Sequence, residues 1–242
     1  MAFSLPDAPW HNTALLSERD WKKALEQVQS LKLPPHPDPF KNWDHLAALD
    51  IILKHSDPSA HVLDAGADLN SVILPWLALY GYKYLIGINP IFDTPIICGP
   101  IRFFKGDITR TDFEPHSLDI ITCMSVIEHG VDSRSYFRET ARILKQGGFL
   151  ITSVDYYPEP IPTQGKSAFG APIHIFCRAE ILDMLHIAEQ NGFVQTGPIN
   201  LEGEEQPISW MGLQYTFLIF TLKRDENLLR DYVGRSPQLY PS

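Results

Sequence analysis

The sequence predicts an α/β protein built on a doubly wound, mostly parallel seven-stranded sheet that ends in an antiparallel C-terminal hairpin strand. Three observations predict it. From Ala60 onward, short apolar runs alternate with longer stretches of helical periodicity, the pattern of parallel β-α-β winding. Small or polar residues (Gly66, Asn89, Gly106-Asp107) follow the apolar runs, where an open sheet would turn its strand ends toward a ligand. Two late runs rich in β-branched and aromatic residues, near Phe193 to Leu201 and Tyr215 to Leu222, offer a closing hairpin pair.

The elements follow in order. Leu25, Val28 and Leu31 recur at three-residue spacing and predict a helix over Ser17 to Leu31; the proline-rich LPPHPDPF after it predicts a stiff linker. Leu46, Leu49, Ile52 and Leu53 give the stretch Trp43 to Lys54 a one-sided apolar stripe. Residues 1–43 are therefore expected to be an N-terminal helical arm and linker, 44–225 the main domain and 226–242 a C-terminal tail. Inside that domain the first strand is expected at His61 to Asp64. A helix follows from Ser71 to Tyr80, with Pro75 tolerated near its first turn and Gly81 ending it. Further strands are expected at Tyr84 to Ile88, Ile101 to Lys105, Leu118 to Met124 and Gly148 to Val154, and helices at Ser133 to Leu144 and Arg178 to Asn191.

Composition narrows the function classes. The 242 residues are 44% hydrophobic and 20% charged, which suits one globular core with short extensions. The net charge of -9, without a basic cluster, repels phosphate backbones, so no nucleic-acid partner is expected. No apolar run reaches membrane-spanning length and the start lacks the features of a secretion signal, so a cytoplasmic protein without a membrane span is expected. Cys98, Cys123 and Cys177 are odd in number and lack C-x-x-C spacing, which suggests neither a disulfide framework nor a metal site.

The strand ends carry the chemistry. Asp64-Ala65-Gly66-Ala67-Asp68 leaves the first strand, and Gly66 would let a ligand approach the backbone. Asn89 lies about 20 residues further on, where nucleoside-binding folds place a polar group on the ribose. Asp107 can accept from an exocyclic amine while Ile108 packs on a base. The densest signal is Leu118-Asp119-Ile120-Ile121-Thr122-Cys123-Met124-Ser125-Val126-Ile127-Glu128-His129, followed by Leu144-Lys145-Gln146-Gly147-Gly148. Each piece alone also reads as an ordinary turn or strand end.

As an ordered set over roughly residues 60 to 155, these motifs resemble the class I S-adenosylmethionine-dependent methyltransferases, a Rossmann-like fold. The resemblance implies S-adenosyl-L-methionine as cofactor. It implies Asp64 and Gly66 near the methionine moiety, Asn89 on the ribose, Asp107 and Ile108 at adenine, and Met124 and Ser125 along the cofactor's border. Asp68 stands where the family has a second glycine, and Asn89 where it has an acidic residue. Asn42-Trp43-Asp44, Ser71 to Gly81 and His174-Ile175-Phe176 are similar to a bacterial subgroup associated with cell-surface polysaccharide synthesis, which implies a small-molecule or saccharide acceptor.

Methyl transfer is chiefly a matter of aligning a nucleophile with an activated methyl in a dry site. A hydroxyl acceptor also needs a base, and His129, Asp155 and His174 are the candidates at strand ends and in the following loop. For both histidines a structural role is the competing reading; Asp155 serves equally as acceptor ligand or loop anchor. The Pro/Gly-rich loop Pro158 to Pro172 could act as a lid. Trp76, Trp210, Tyr80 and Tyr82 read as core aromatics. Two other functions compete: a nicotinamide-dependent oxidoreductase, disfavoured by Asp68 where a pyrophosphate would sit, and a cofactor-free binding module. A monomer or homodimer is expected.

Overall fold

The computed structural model describes residues 4–225 and Asn227. Its elements are β1 (Thr13–Ala14), α1 (Glu18–Ser30), α2 (Asn42–His55), β2 (His61–Ala65), α3 (Ile73–Leu79), β3 (Tyr84–Ile88), β4 (Ile96–Cys98), β5 (Ile101–Phe104), β6 (Leu118–Met124), α4 (Ser133–Ile143), β7 (Leu144–Tyr156), β8 (Ser167–Ala168), β9 (Ala171–Pro172), α5 (Arg178–Gln190), β10 (Phe193–Gln195), β11 (Ile208–Trp210) and β12 (Leu213–Arg224). A 3-10 turn, Pro39–Lys41, runs directly into α2.

One sheet holds all strands except the small β8-β9 hairpin, in the order β1-β12-β7-β6-β2-β3-β5-β4, with β10 and β11 also pairing β12. β5, β3, β2, β6 and β7 are parallel. β12 lies antiparallel to β7, and β10 antiparallel to β12. The chain runs from β2 outward to β3 and β5, then returns to β6 on the other side of β2. That reversal puts the switch point at the carboxyl ends of β2 and β6, the place where open sheets take ligands.

Side-chain alternation divides the core into two layers. Val62, Ile120, Ile151 and Ile219 face α1, α2 and α3, whereas Leu63, Ile121, Leu150 and Leu218 face α4 and α5. Consecutive apolar residues along one strand thus serve opposite faces, as expected for a sheet covered on both sides.

All seven expected strands occur, but the described sheet has ten, because β1, β4 and β11 join its edges. Strands of two or three residues carry too little periodicity to be read from sequence. The strand expected over Phe193 to Leu201 stops at Gln195, and the chain turns through Gly197-Pro198, where proline has no N–H to give a ladder. Pro75 sits in the first turn of α3. The stripe on α2 is not one-sided: nearly every residue from Asn42 to Ile52 is buried, because α1 packs over its outer face.

The boundary expected between residues 43 and 44 falls inside α2. Ala8, Leu15, Val28, Leu31 and Leu33 are buried in the same core as Leu46 and Val62. Thr13 and Ala14 pair with Ile219 and Leu218, the Asn12 side chain accepts from Thr221 N (2.8 Å), and Trp76 Nε1 donates to Pro34 O (2.8 Å). The tail expected at 226–242 lies outside the described residues apart from Asn227. Among the described residues no helix is long and apolar enough to cross a membrane.

Candidate active site

Gly66 turns the chain after β2 at φ +82°, and its N–H donates to Ile88 O at 2.8 Å. A Cβ there would lie 2.3 Å from Val126 Cγ2, so glycine is required by close approach as well as by the left-handed backbone. Asn89, just beyond β3, donates from Nδ2 to Gly66 O (2.9 Å) and accepts from Ile91 N at Oδ1 (3.1 Å). Its N–H bonds Phe104 O, and its carbonyl accepts from Gly106 N. The tips of β2, β3 and β5 are thus laced together through one residue.

Beyond β5, Asp107 is exposed and its Oδ1 accepts from Thr109 N and Oγ1 (2.8 and 2.7 Å), while Ile108 is buried. A cavity lined by Ile88, Phe104, Gly106, Arg110 and Phe113 flanks this turn in sequence. Asp68 uses its own carboxylate on the turn that leads to α3: Oδ1 accepts from Asn70 N (2.7 Å) and Ser71 N (2.9 Å), and Ser71 Oγ accepts from Asp68 N. Donors that a pyrophosphate would need are already taken, so the geometry counts against a dinucleotide here.

Met124 ends β6. Ser125 follows at φ +54° with its N–H on Ser153 O (2.9 Å). Asp64, 3% exposed, accepts from Thr122 Oγ1 (2.7 Å), and burial raises its pKa to about 6. Glu128 is buried with no side-chain donor on either carboxylate oxygen, and the amides of Glu128 and Asp155 lie close enough to favour its charged form. Burial first, then the neighbouring Asp155, raises its pKa. Asp155 is likewise buried and raised by burial, opposed by Lys41 and by the Tyr215 hydroxyl. These two carboxyl groups titrate as a pair.

The backbone of the segment that follows the β8-β9 hairpin seals this pair. His174 N donates to Glu128 O and Phe176 N to Asp155 O, both at 3.0 Å. The side chain of His174 does not join the pair: it is exposed, and its Nε2 meets Glu180 Oε1 at 2.9 Å, the same carboxylate that caps Cys177 N at the start of α5. His129 is half-buried, with its ring edge against Phe169 at 5.2 Å between centroids. Burial, then Lys41, lowers its pKa, which keeps it neutral near pH 7.

Three side chains to which the sequence assigned no role stand in the same region. Lys41 donates from Nζ to Ser125 Oγ and lies 4.1 Å from the Phe217 ring centroid. Asp44 is fully buried, accepting from Ser153 Oγ (2.7 Å) and contacting His45 Nδ1 (2.8 Å). Burial would raise the Asp44 pKa, but His45, Lys41 and Ser153 outweigh it and hold it low. Glu128, the third, stands inside the Ile127-Glu128-His129 motif, next to the candidate base His129. Nothing in the sequence spacing links Lys41 to Ser125, 84 positions away.

The parallel sheet, its reversal at β2 and the glycine bend at that reversal define a Rossmann-like α/β fold. Residues 63–152 match a family model described as a methyltransferase domain. The uncharacterized methyltransferase YcgJ of Bacillus subtilis (strain 168) is similar at 41% identity over 120 residues, 46% of this chain, and the match spans about half (47%) of that relative's length. Among solved structures, an S-adenosylmethionine-dependent methyltransferase from Mesorhizobium loti superposes with a TM-score of 0.54 at 16% identity, covering 76% of this chain and 98% of that one. A geranyl diphosphate C-methyltransferase from Streptomyces coelicolor A3(2) gives a TM-score of 0.54 at 16% identity, covering 92% of this chain and 90% of its own. At such identities the structural likeness shows the fold. Over its central stretch, residues 63–152, the chain is similar to the methyltransferase domain.

Proposed function

We propose that this chain is an S-adenosylmethionine-dependent methyltransferase that methylates an oxygen or nitrogen of a small-molecule or saccharide acceptor by in-line displacement. The observation that carries the reading is the bond from Asn89 to Gly66 and the close packing of Gly66 on Val126, at the switch point of a sheet whose central stretch matches the methyltransferase domain. The residues present fit the cofactor: Gly66 has the left-handed bend the cradle needs, Asn89 Oδ1 keeps a free lone pair beyond its bond from Ile91, and Ile108 offers an apolar surface. In this reading Asp64 and Gly66 hold the methionine end, Asn89 the ribose, Asp107 and Ile108 the adenine, and Met124 and Ser125 line the remaining edge. Asp68 shapes the first turn.

When bound, the cofactor supplies a methyl group activated on a sulfonium. The protein's own residues do the rest. The backbone bridges from His174 to Glu128 and from Phe176 to Asp155 exclude water from the carboxyl pair. Asp155, one of two coupled carboxyls, is suited to take a proton from a hydroxyl or amine nucleophile at its carboxylate oxygen. His129, neutral and facing Phe169, orients the covering hairpin or serves as the alternative base, and His174 fastens the same segment through Glu180. The three free thiols Cys98, Cys123 and Cys177 support a reducing, cytoplasmic setting, and a monomer or homodimer belongs to the same proposal.

A second reading, a methyltransferase fold that binds a partner without cofactor, draws on the ammonium of Lys41 standing at Ser125. Thermal-shift measurement with S-adenosylmethionine and S-adenosylhomocysteine separates the two, because a ligand of the native state raises the melting temperature above its Kd. A rise with either ligand supports the enzyme. No rise at millimolar ligand favours the partner-binding module. Mass spectrometry of extracts incubated with the protein and cofactor would then identify the acceptor by a gain of one methyl group.

A further inference from the structure

Lys41 enters the strand tips from outside the matched stretch of chain, and its surroundings are those of a cation box. The ammonium lies over the electron-rich face of Phe217 and donates to Ser125 Oγ. Asp44, Glu128 and Asp155 all act on it electrostatically, while His36 and His129 face it from α2's approach and from the β6 tip. Asp44 is already matched by His45 and Ser153, and Asp155 has Tyr215. Glu128, 1% exposed, has only the nearby amides of Glu128 and Asp155 and no side-chain donor on either oxygen, and a buried carboxylate held so weakly gains from a further partner. Asp155 and the Phe217 ring sit on β7 and β12, and buried Asp44 is tied to β7 through Ser153, whereas Lys41 carries its ammonium on a long, part-buried stem. Four rotatable bonds let its head leave while the box stays.

We propose that this box is a subsite for a cationic group of the ligand, and that Lys41 is its tethered stand-in, displaced when a ligand brings its own positive charge. An ammonium demonstrably fits, because one is there. The inference rests on the methyltransferase reading for the identity of the ligand. The shared chemistry has two sources, the sulfonium of the cofactor or an amine on the acceptor, and the experiment separates them.

Calorimetry on the full chain would compare S-adenosylmethionine, which is a sulfonium, with S-adenosylhomocysteine, its neutral thioether, for wild type, Lys41→Met and Glu128→Gln. If the sulfonium occupies the box, Lys41→Met tightens S-adenosylmethionine about threefold or more while S-adenosylhomocysteine changes little, and Glu128→Gln moves the ratio the opposite way. If an acceptor amine occupies it, that ratio holds, and n-butylammonium titrated into the S-adenosylhomocysteine complex binds Lys41→Met about threefold or more tighter than wild type, with n-butanol unaffected. An unchanged ratio together with unchanged n-butylammonium binding overturns the proposal. Failure of wild type to bind S-adenosylhomocysteine instead overturns the methyltransferase reading, and n-butylammonium on the free protein then judges the box alone. Lys41→Met keeps the stem, so its melting temperature verifies folding; should Glu128→Gln not fold, the Lys41 comparison decides.

Discussion

At Gly66 two constraints meet: a backbone at φ +82° and Val126 methyls 2.3 Å from where a Cβ would stand. From the sequence, a valine there would be expected to spoil cofactor binding and spare the fold. The packing changes that expectation, because the side chain strikes Val126 before it reaches any ligand. Gly66→Ala should already cost about 2 kcal/mol or more of unfolding free energy, measured by urea denaturation; an unaltered midpoint would contradict the close approach. Asp64 supplies a pH test. Burial raises its pKa from 3.8 to about 6, so the folded chain holds the proton more tightly than the unfolded one. Its stabilising contribution is complete below about pH 4 and fades as the pH rises through about 6. His36 acts in the opposite sense: burial, then His45, lowers it to about 4, so its contribution is present above pH 6.5 and lost as the pH falls through about 4. Asp64→Asn should therefore gain on wild type by up to about 3 kcal/mol between pH 4 and 7, the amount two pKa units represent. A difference between the two proteins that stays flat over that range would show Asp64 to be unperturbed.

Elements show where sequence reading succeeds and where it stops. β6 and α4 were legible because seven apolar-rich residues, an Asp N-cap and an amphipathic stretch are local signals; Asp132 indeed accepts from Ser135 N at 2.8 Å. The clamp that holds α4 to the β5-β6 connection was not legible. Glu139 accepts from Thr111 N (2.7 Å) and Thr111 Oγ1 (2.6 Å) and from Arg142, whose Nη1 reaches Phe113 O. Burial would raise the Glu139 pKa, but those donors outweigh it and hold it at about 2. Glu139→Gln should lower stability by about 2 kcal/mol at pH 7, with the gap to wild type closing as the pH falls from 4.5 toward 2. Equal melting temperatures at pH 7 would mean that the clamp is idle. In the active-site region, the Glu128-His129 motif was visible in sequence, but the nearness of Glu128 to Asp155 was not, because residues 174–176 cross the β6 and β7 ends and bond the backbone at both positions.

Across the whole molecule, the N-terminal segment belongs to the fold's core. Removing residues 1–33 would delete Leu15, Val28, Leu31, Leu33 and the β1 pairing, and would uncover the outer face of α2. At about 1.5–3 kcal/mol for each large apolar side chain, the loss exceeds about 5 kcal/mol and approaches the stability of an ordinary domain. The truncated chain should lose its cooperative thermal transition by circular dichroism; an undiminished melting temperature would make the segment a dispensable arm. The sequence by itself determined the alternation of strands and helices, the parallel sheet and the order of motifs at its tips, because these follow from periodicity and from turn residues over short stretches. Only the tertiary structure decided that Lys41 meets Ser125 and Phe217, that Glu128 and Asp155 share a sealed space, and that His174 turns away to Glu180. Those are encounters between residues far apart in the chain, and side-chain direction and burial at such meetings depend on how whole elements pack.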